Sequence, residues 1–215
     1  FVVFLGKDTS WDFRNYHWYA PYAFLNHRMG FDVAVAHQAS YYNPFLDIPF
    51  YLLATHLPSW AALAILGAVQ GLNVVPLYLM ARSVLRFAEY KLYAGALALL
   101  GQTGALTLSL FGTTYYDNVM SVLVLAGLAI LICKRQSLRG SSSVQAALLA
   151  ALAGFITGCA FGLKLPEAPF TFGFAAALVA LGGSFRRQVL RLLAGGIGGI
   201  AGFALFSAWW MLHMQ

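Results

Sequence analysis

The sequence predicts an all-α, polytopic membrane protein, and three observations carry that expectation. Of 215 residues, 60% are hydrophobic and only 9% are charged, where a soluble domain carries roughly 25% charged residues. Mean hydropathy is +0.73, with the apolar residues gathered into long runs separated by short polar connections, the pattern of membrane-crossing helices. Against these runs stands one mixed stretch, residues 7–57. It holds Asp8, Asp12, Asp32 and Asp47 among His17, His27, His37, Arg14, Arg28 and a dense set of Tyr and Trp.

Taken in order, residues 1–6 read as the outer end of a first span. The apolar stub 1–5 is too short to be a signal peptide or a span of its own, so that span is expected to continue before Phe1, and further sequence to follow Gln215. Residues 7–57 read as the first extracytoplasmic loop. Within it, 12–28 suits an amphipathic helix at the interface, because Tyr16, Trp18, Tyr19 and Tyr22 favour the headgroup region. Asn43 and Pro44 break the chain, and 47–56 suits a second short surface helix. Residues 58–215 read as a transmembrane bundle, with apolar runs at 58–81, 92–111, 118–133, 144–163, 168–183 and 192–212. Six or seven spans are therefore expected in all. A span needs roughly 20 residues, which leaves 168–183 marginal, and Pro166 and Pro169 give it an irregular start. Gly195-Gly196 and Gly198-Gly199 favour close helix packing. Cys133 and Cys159 make no disulfide framework and read as small apolar residues.

Orientation follows from the connections. Three are basic: Arg82, Arg86 and Lys91; Lys134, Arg135 and Arg139; Arg186, Arg187 and Arg191. The positive-inside rule puts these in the cytoplasm. Alternation then puts 7–57, 112–118 and 164–169 on the outer face, together with Asp8, Asp12, Asp32, Asp47, Asp117 and Glu167. Of the acids, Glu89 alone stays inside. The net charge of +6 is thus accounted for by topology, and nucleic-acid binding is not expected.

Several residues of the outer face could carry chemistry. Asp12 opens the string D-x-x-N-Y-H, so on a helix Asp12, Asn15 and Tyr16 would share a face. A carboxylate beside an amide and a phenol could act as general base toward a hydroxyl, or help hold a divalent metal through oxygen ligands. It could equally cap the surface helix. Asp117 lies where a span re-enters the membrane, as a functional group or as a helix cap. Lys164, in GLKLPEAP, could hold a phosphate as a point charge or snorkel to the headgroups; Arg14 and Arg28 could hold a phosphate likewise. The histidines at 17, 27 and 37 match no tight metal-ligand spacing and read as interfacial groups. Most of the Tyr and Trp read as an aromatic belt, with sugar or lipid stacking as the alternative. Asp8, Asp32, Asp47 and Glu167 carry no signal beyond location.

The strings WDFRNYHWYAPYAFL, YYNPFLDIPFYLL, GTTYYDN and GCAFGLKLPEAPF, set on a long acidic and aromatic first outer loop, resemble the GT-C superfamily of polyprenol-dependent glycosyltransferases, and within it bacterial integral-membrane proteins of the glycosyltransferase or mannosyltransferase type. The resemblance covers most of the chain and implies a GT-C-like bundle in the bacterial inner membrane, with a periplasmic active site and a polyprenyl-phosphate sugar as donor. Asp12 would be the catalytic base, with Asp8 a neighbour able to exchange roles. Lys164 would meet the lipid phosphate, and Arg14, Asn15, Tyr16, His17 and Asp117 would line the substrate site. Whether a divalent metal takes part stays open. Family members are normally longer, with further spans and often a soluble C-terminal part. Two other classes remain: a transporter, which should show broken helices in repeated halves and ionisable groups near mid-span, and a non-catalytic membrane subunit that scaffolds other membrane chains.

Overall fold

The computed structural model describes residues 2–6, 8–33, 36–85, 89–140 and 143–214. Phe1 of the expected stub, Lys7 at the start of the loop and Arg86 of the first basic connection lie outside them. Twelve α-helices are described: α1 Val2–Leu5, α2 Tyr19–Leu25, α3 Ile48–His56, α4 Ser59–Gly71, α5 Val74–Val84, α6 Tyr90–Gly101, α7 Ala105–Ser109, α8 Asp117–Cys133, α9 Arg135–Gly140, α10 Ser143–Leu163, α11 Ala168–Ala180 and α12 Phe185–His213. Among the described residues there is no strand.

Three helical stretches are long and apolar enough to cross a membrane: Ser59–Val84, Ser143–Leu163 and Phe185–His213. The expected count of six or seven spans is corrected on this point. The apolar run at 92–111 is divided, because Gln102, Thr103 and Gly104 end α6 and only the five residues of α7 follow. There the Thr103 hydroxyl turns back onto the Leu100 carbonyl at 2.7 Å, a local bond that competes with helix continuation. α8 has 17 residues, and α11 has 13, ended by Gly182 and Gly183 at φ +69° and +102°, backbone that only glycine adopts without strain.

The chain divides into two compact units, Phe1–Gly71 with Ala105–Asn118, and Leu72–Gly104 with Val119–Gln215. In the second, α10 and α12 meet backbone to backbone. A Cβ added at Gly154 would lie 2.1 Å from the Gly195 carbonyl oxygen, and one at Gly158 would lie 2.1 Å from that of Gly199. Small residues let helices approach this closely in an apolar surround. Leu131, Leu138, Ala150, Ala153 and Leu178 form the buried core beside that seam. Near it the arginines that the sequence presents as a topology signal also act as helix caps. The buried Arg191 donates to the carbonyls of Leu138 and Gly182, Arg139 to Leu181 at 2.7 Å, and Arg187 to Arg139 at 2.7 Å. These are carbonyls at the ends of α9 and α11, where a helix leaves its acceptors unsatisfied and its dipole favours a cation.

Candidate active site

The first unit gathers the acids. Its scaffold is Gln70 of α4, fully buried. The Gln70 side-chain amide accepts from the Gly112 N–H at 2.7 Å and donates to the Thr113 carbonyl at 3.2 Å. That fixes a turn in which Gly112 takes φ +80° and which delivers three successive side chains, Thr114, Tyr115 and Tyr116, each to a different carboxylate.

Thr114 takes Asp8. Both its N–H and its hydroxyl donate to Asp8 Oδ2 at 2.9 Å, while Oδ1 accepts the Ser10 N–H at 2.9 Å. Partial burial pushes the Asp8 carboxyl upward, but the hydrogen bonds from Thr114 and Ser10 outweigh it and hold the group below the ordinary range. A carboxylate so well satisfied is a poor proton acceptor.

Tyr115 takes Asp12 through a side-chain hydrogen bond, which together with burial raises the phenol. Asp12 does not cap the helix that begins here. Its side chain makes no cap bond, and the capping acceptor is the Ser10 hydroxyl, 3.1 Å from the Phe13 N–H. From Phe13 to His17 the chain then makes a π-helical turn, with the Trp18 N–H reaching the Phe13 carbonyl at 3.0 Å. Such wide turns put residues i and i+5 over one another and recur at functional sites. Here the Tyr16 phenol lies within reach of the Asp12 charge. Burial raises the Tyr16 phenol, and the charges of Asp12 and Asp47 add to it. Asn15 does not join this group through its amide, which donates to the Trp11 carbonyl at 2.8 Å. Arg14 is exposed.

Tyr116 takes Asp47. Asp47 is buried and sits just before α3, with its Oδ1 2.8 Å from His17 Nδ1. Burial raises this carboxyl, and the His17 partner only partly opposes it. Tyr116 is buried as well, close enough to feel the Asp47 charge, yet its hydroxyl makes no hydrogen bond of ordinary geometry among the described residues. Its backbone lies at φ +61°, an uncommon place for a bulky residue, one that surrounding structure must impose. The His17 ring is enclosed by aromatic neighbours: Tyr16 at 4.3 Å between centroids, Tyr116 at 5.6 Å and Tyr115 at 6.4 Å.

The remaining expected residues are placed as follows. Asp117 opens α8, half-buried in its first turn. Lys164 belongs to the second unit, half-buried in extended backbone before the turn Leu165–Glu167. Arg28 is engaged by Asp32 four residues on and lies over the Phe31 ring at 5.0 Å. Asp47, Thr114, Tyr115 and Tyr116 are functional candidates that reading by spacing passes over. The GTTYYD string was the available signal for the last three, and nothing local marks Asp47.

Among the described residues no three of His, Cys, Asp and Glu converge as a ligand set, and both Asp8 oxygens are occupied by N–H and O–H donors. What the arrangement offers is three carboxylates in three environments: one held ionised, one half-buried against a phenol, and one buried against an imidazole. Such separation within one site lets carboxyl groups divide acid, base and positioning roles. No family model, curated protein or solved structure matches this chain.

Proposed function

We propose that the chain is a GT-C-type glycosyltransferase of the bacterial inner membrane, with its basic connections in the cytoplasm and its acid cluster on the outer face. It moves a sugar from a polyprenyl-phosphate donor to an acceptor hydroxyl. The observation that carries this reading is the turn at 112–116, whose Thr114, Tyr115 and Tyr116 each address a different acid, Asp8, Asp12 and Asp47. Asp12 is the base, half-buried and held by a phenol rather than committed to a helix cap. Asp8 is the positioning group, satisfied by donors from two segments. The acceptor oxygen attacks the anomeric carbon as the lipid phosphate leaves, and Asp12 takes the acceptor proton. A donor with a lipid tail presents its phosphate at the bilayer surface, which is the physical reason for a membrane-embedded catalyst. Arg14, exposed in the same unit, is a further cation for that phosphate.

The test is transfer from undecaprenyl-phosphate mannose by the full chain in lipid nanodiscs. Asp12→Asn is expected to lower turnover by about 10² or more with donor binding retained. Full turnover in both Asp12→Asn and Asp8→Asn would overturn the reading. A chain that binds no donor and instead holds other membrane subunits through its apolar helices would be a scaffold.

A further inference from the structure

The Asp47–His17–Tyr116 cluster has no part in the reaction as written above, yet Asp47 and Tyr116 are both buried in the first unit. Apolar residues would fill this space at lower cost, since a buried carboxyl and a buried phenol each lose hydration. The Asp47 carboxyl, 2.8 Å from Nδ1, fixes the orientation of the ring. The second ring nitrogen of His17 has no hydrogen-bond partner among the described residues. The Tyr116 hydroxyl, on a residue 3% exposed, likewise has none of ordinary geometry. A buried phenol beside Asp47 without a hydrogen bond of ordinary geometry, next to an imidazole with one nitrogen unbonded among the described residues, is the pattern left when the partner is an incoming oxygen.

We infer that His17, oriented by Asp47, binds a phosphate group and donates its Nε2 proton to it, with the Tyr116 hydroxyl as a further donor. The inference rests on the transferase reading for the step it serves. The acceptor O–C1 bond forms as the C1–O bond to phosphate breaks, and the bonding pair leaves on the phosphate oxygen. The acceptor proton passes to Asp12, the His17 proton passes to the phosphate, and exchange with water restores both. The groups facing His17 are Asp47 from the start of α3, Tyr16 from its own turn, and Tyr115 and Tyr116 from the turn at 112–116. Asp47 is thus a positioning residue, and His17 is the group that meets the ligand.

The experiment is binding of farnesyl phosphate to the full chain in nanodiscs, followed by ³¹P NMR. His17→Gln should weaken binding about tenfold. Asp47→Asn, which preserves shape but loosens the orientation of the ring, should weaken it in the same direction. Affinity of His17→Gln within twofold of wild type would overturn the inference. Should His17→Gln fail to fold, wild-type affinity in Asp47→Asn would overturn it instead. Inorganic phosphate that competes equally supports a subsite for the phosphate group from either source, and farnesyl phosphate binding without such competition supports the lipid source. The two readings fail separately. Unaltered farnesyl phosphate binding in His17→Gln with activity still dependent on Asp12 sinks this inference alone. Binding dependent on His17 with transfer indifferent to Asp12 and Asp8 sinks the transferase and leaves the phosphate site.

Discussion

Gly158→Ala tests the close packing of α10 against α12. The added methyl carbon would lie 2.1 Å from the Gly199 carbonyl oxygen, whereas ordinary contact begins at 3.4 Å, so α10 and α12 must part locally by about 1.3 Å (3.4 − 2.1). The obstacle is backbone, which cannot rotate aside as a side chain can. Parting the helices also loosens Gly154 against Gly195 and Gly202 against the Phe155 carbonyl, which share the seam. Overpacking a filled interior costs about 1–3 kcal/mol, and a rigid obstacle puts this substitution at roughly 3 kcal/mol. Two controls separate packing from the mere loss of a glycine. A Cβ at Gly199 meets only the Gly154 oxygen, at 3.7 Å, and one at Gly196 meets nothing within 4 Å. Alanine at either position should be neutral or stabilising by up to about 1 kcal/mol, because glycine loses more freedom on folding. Thermal unfolding of the three variants in one lipid environment makes the comparison. If Gly158→Ala melts with Gly196→Ala, the close approach of α10 and α12 is refuted.

Three further predictions concern the first unit. Gln70→Leu leaves the Gly112 N–H and Thr113 carbonyl without their partner, at a cost of about 1–3 kcal/mol; faster hydrogen exchange at the Gly112 amide reports it, and unchanged exchange would show that Gln70 does not hold the turn. Tyr116→Phe removes a hydroxyl that makes no hydrogen bond of ordinary geometry among the described residues, so stability should hold or rise by roughly 1 kcal/mol; a clear loss in the melting temperature would mean that its contact with Asp47 is a stabilising bond. The two shifted carboxyls act in opposite directions with pH. Asp8, lowered, contributes stability that is present above its ordinary value of 3.8 and lost as pH falls through its lower folded value. Asp47, raised, contributes stability that is complete below 3.8 and lost as pH rises through its higher folded value. Melting curves against pH should therefore flatten below 3.8 in Asp8→Asn and above it in Asp47→Asn, and a profile parallel to wild type in either variant contradicts the assignment.

Composition by itself determines that this chain is helical and apolar enough to enter a membrane, because hydropathy is a property of residues wherever they lie. The number of long helices is another matter. Hydropathy averages over Gln102, Thr103 and Gly104, and over Gly182 and Gly183, whereas the backbone stops at them. The outer acids were legible as a group, since the mixed loop stands out against apolar runs. Their division of labour was not. Asp12 and Ser10 look equally fit to cap a helix, and only the fold shows Ser10 doing so while Asp12 meets Tyr115. Asp47 is one acid among several until the chain returns it, thirty residues later, to His17 at 2.8 Å. Gly158 and Gly199 sit in similar glycine patterns, yet one faces a backbone oxygen and the other has room for a methyl group. Burial and proximity between distant segments are properties of the packed chain, and so the tertiary structure alone decides which carboxylate is held ionised, which is starved of water and which glycine cannot be replaced.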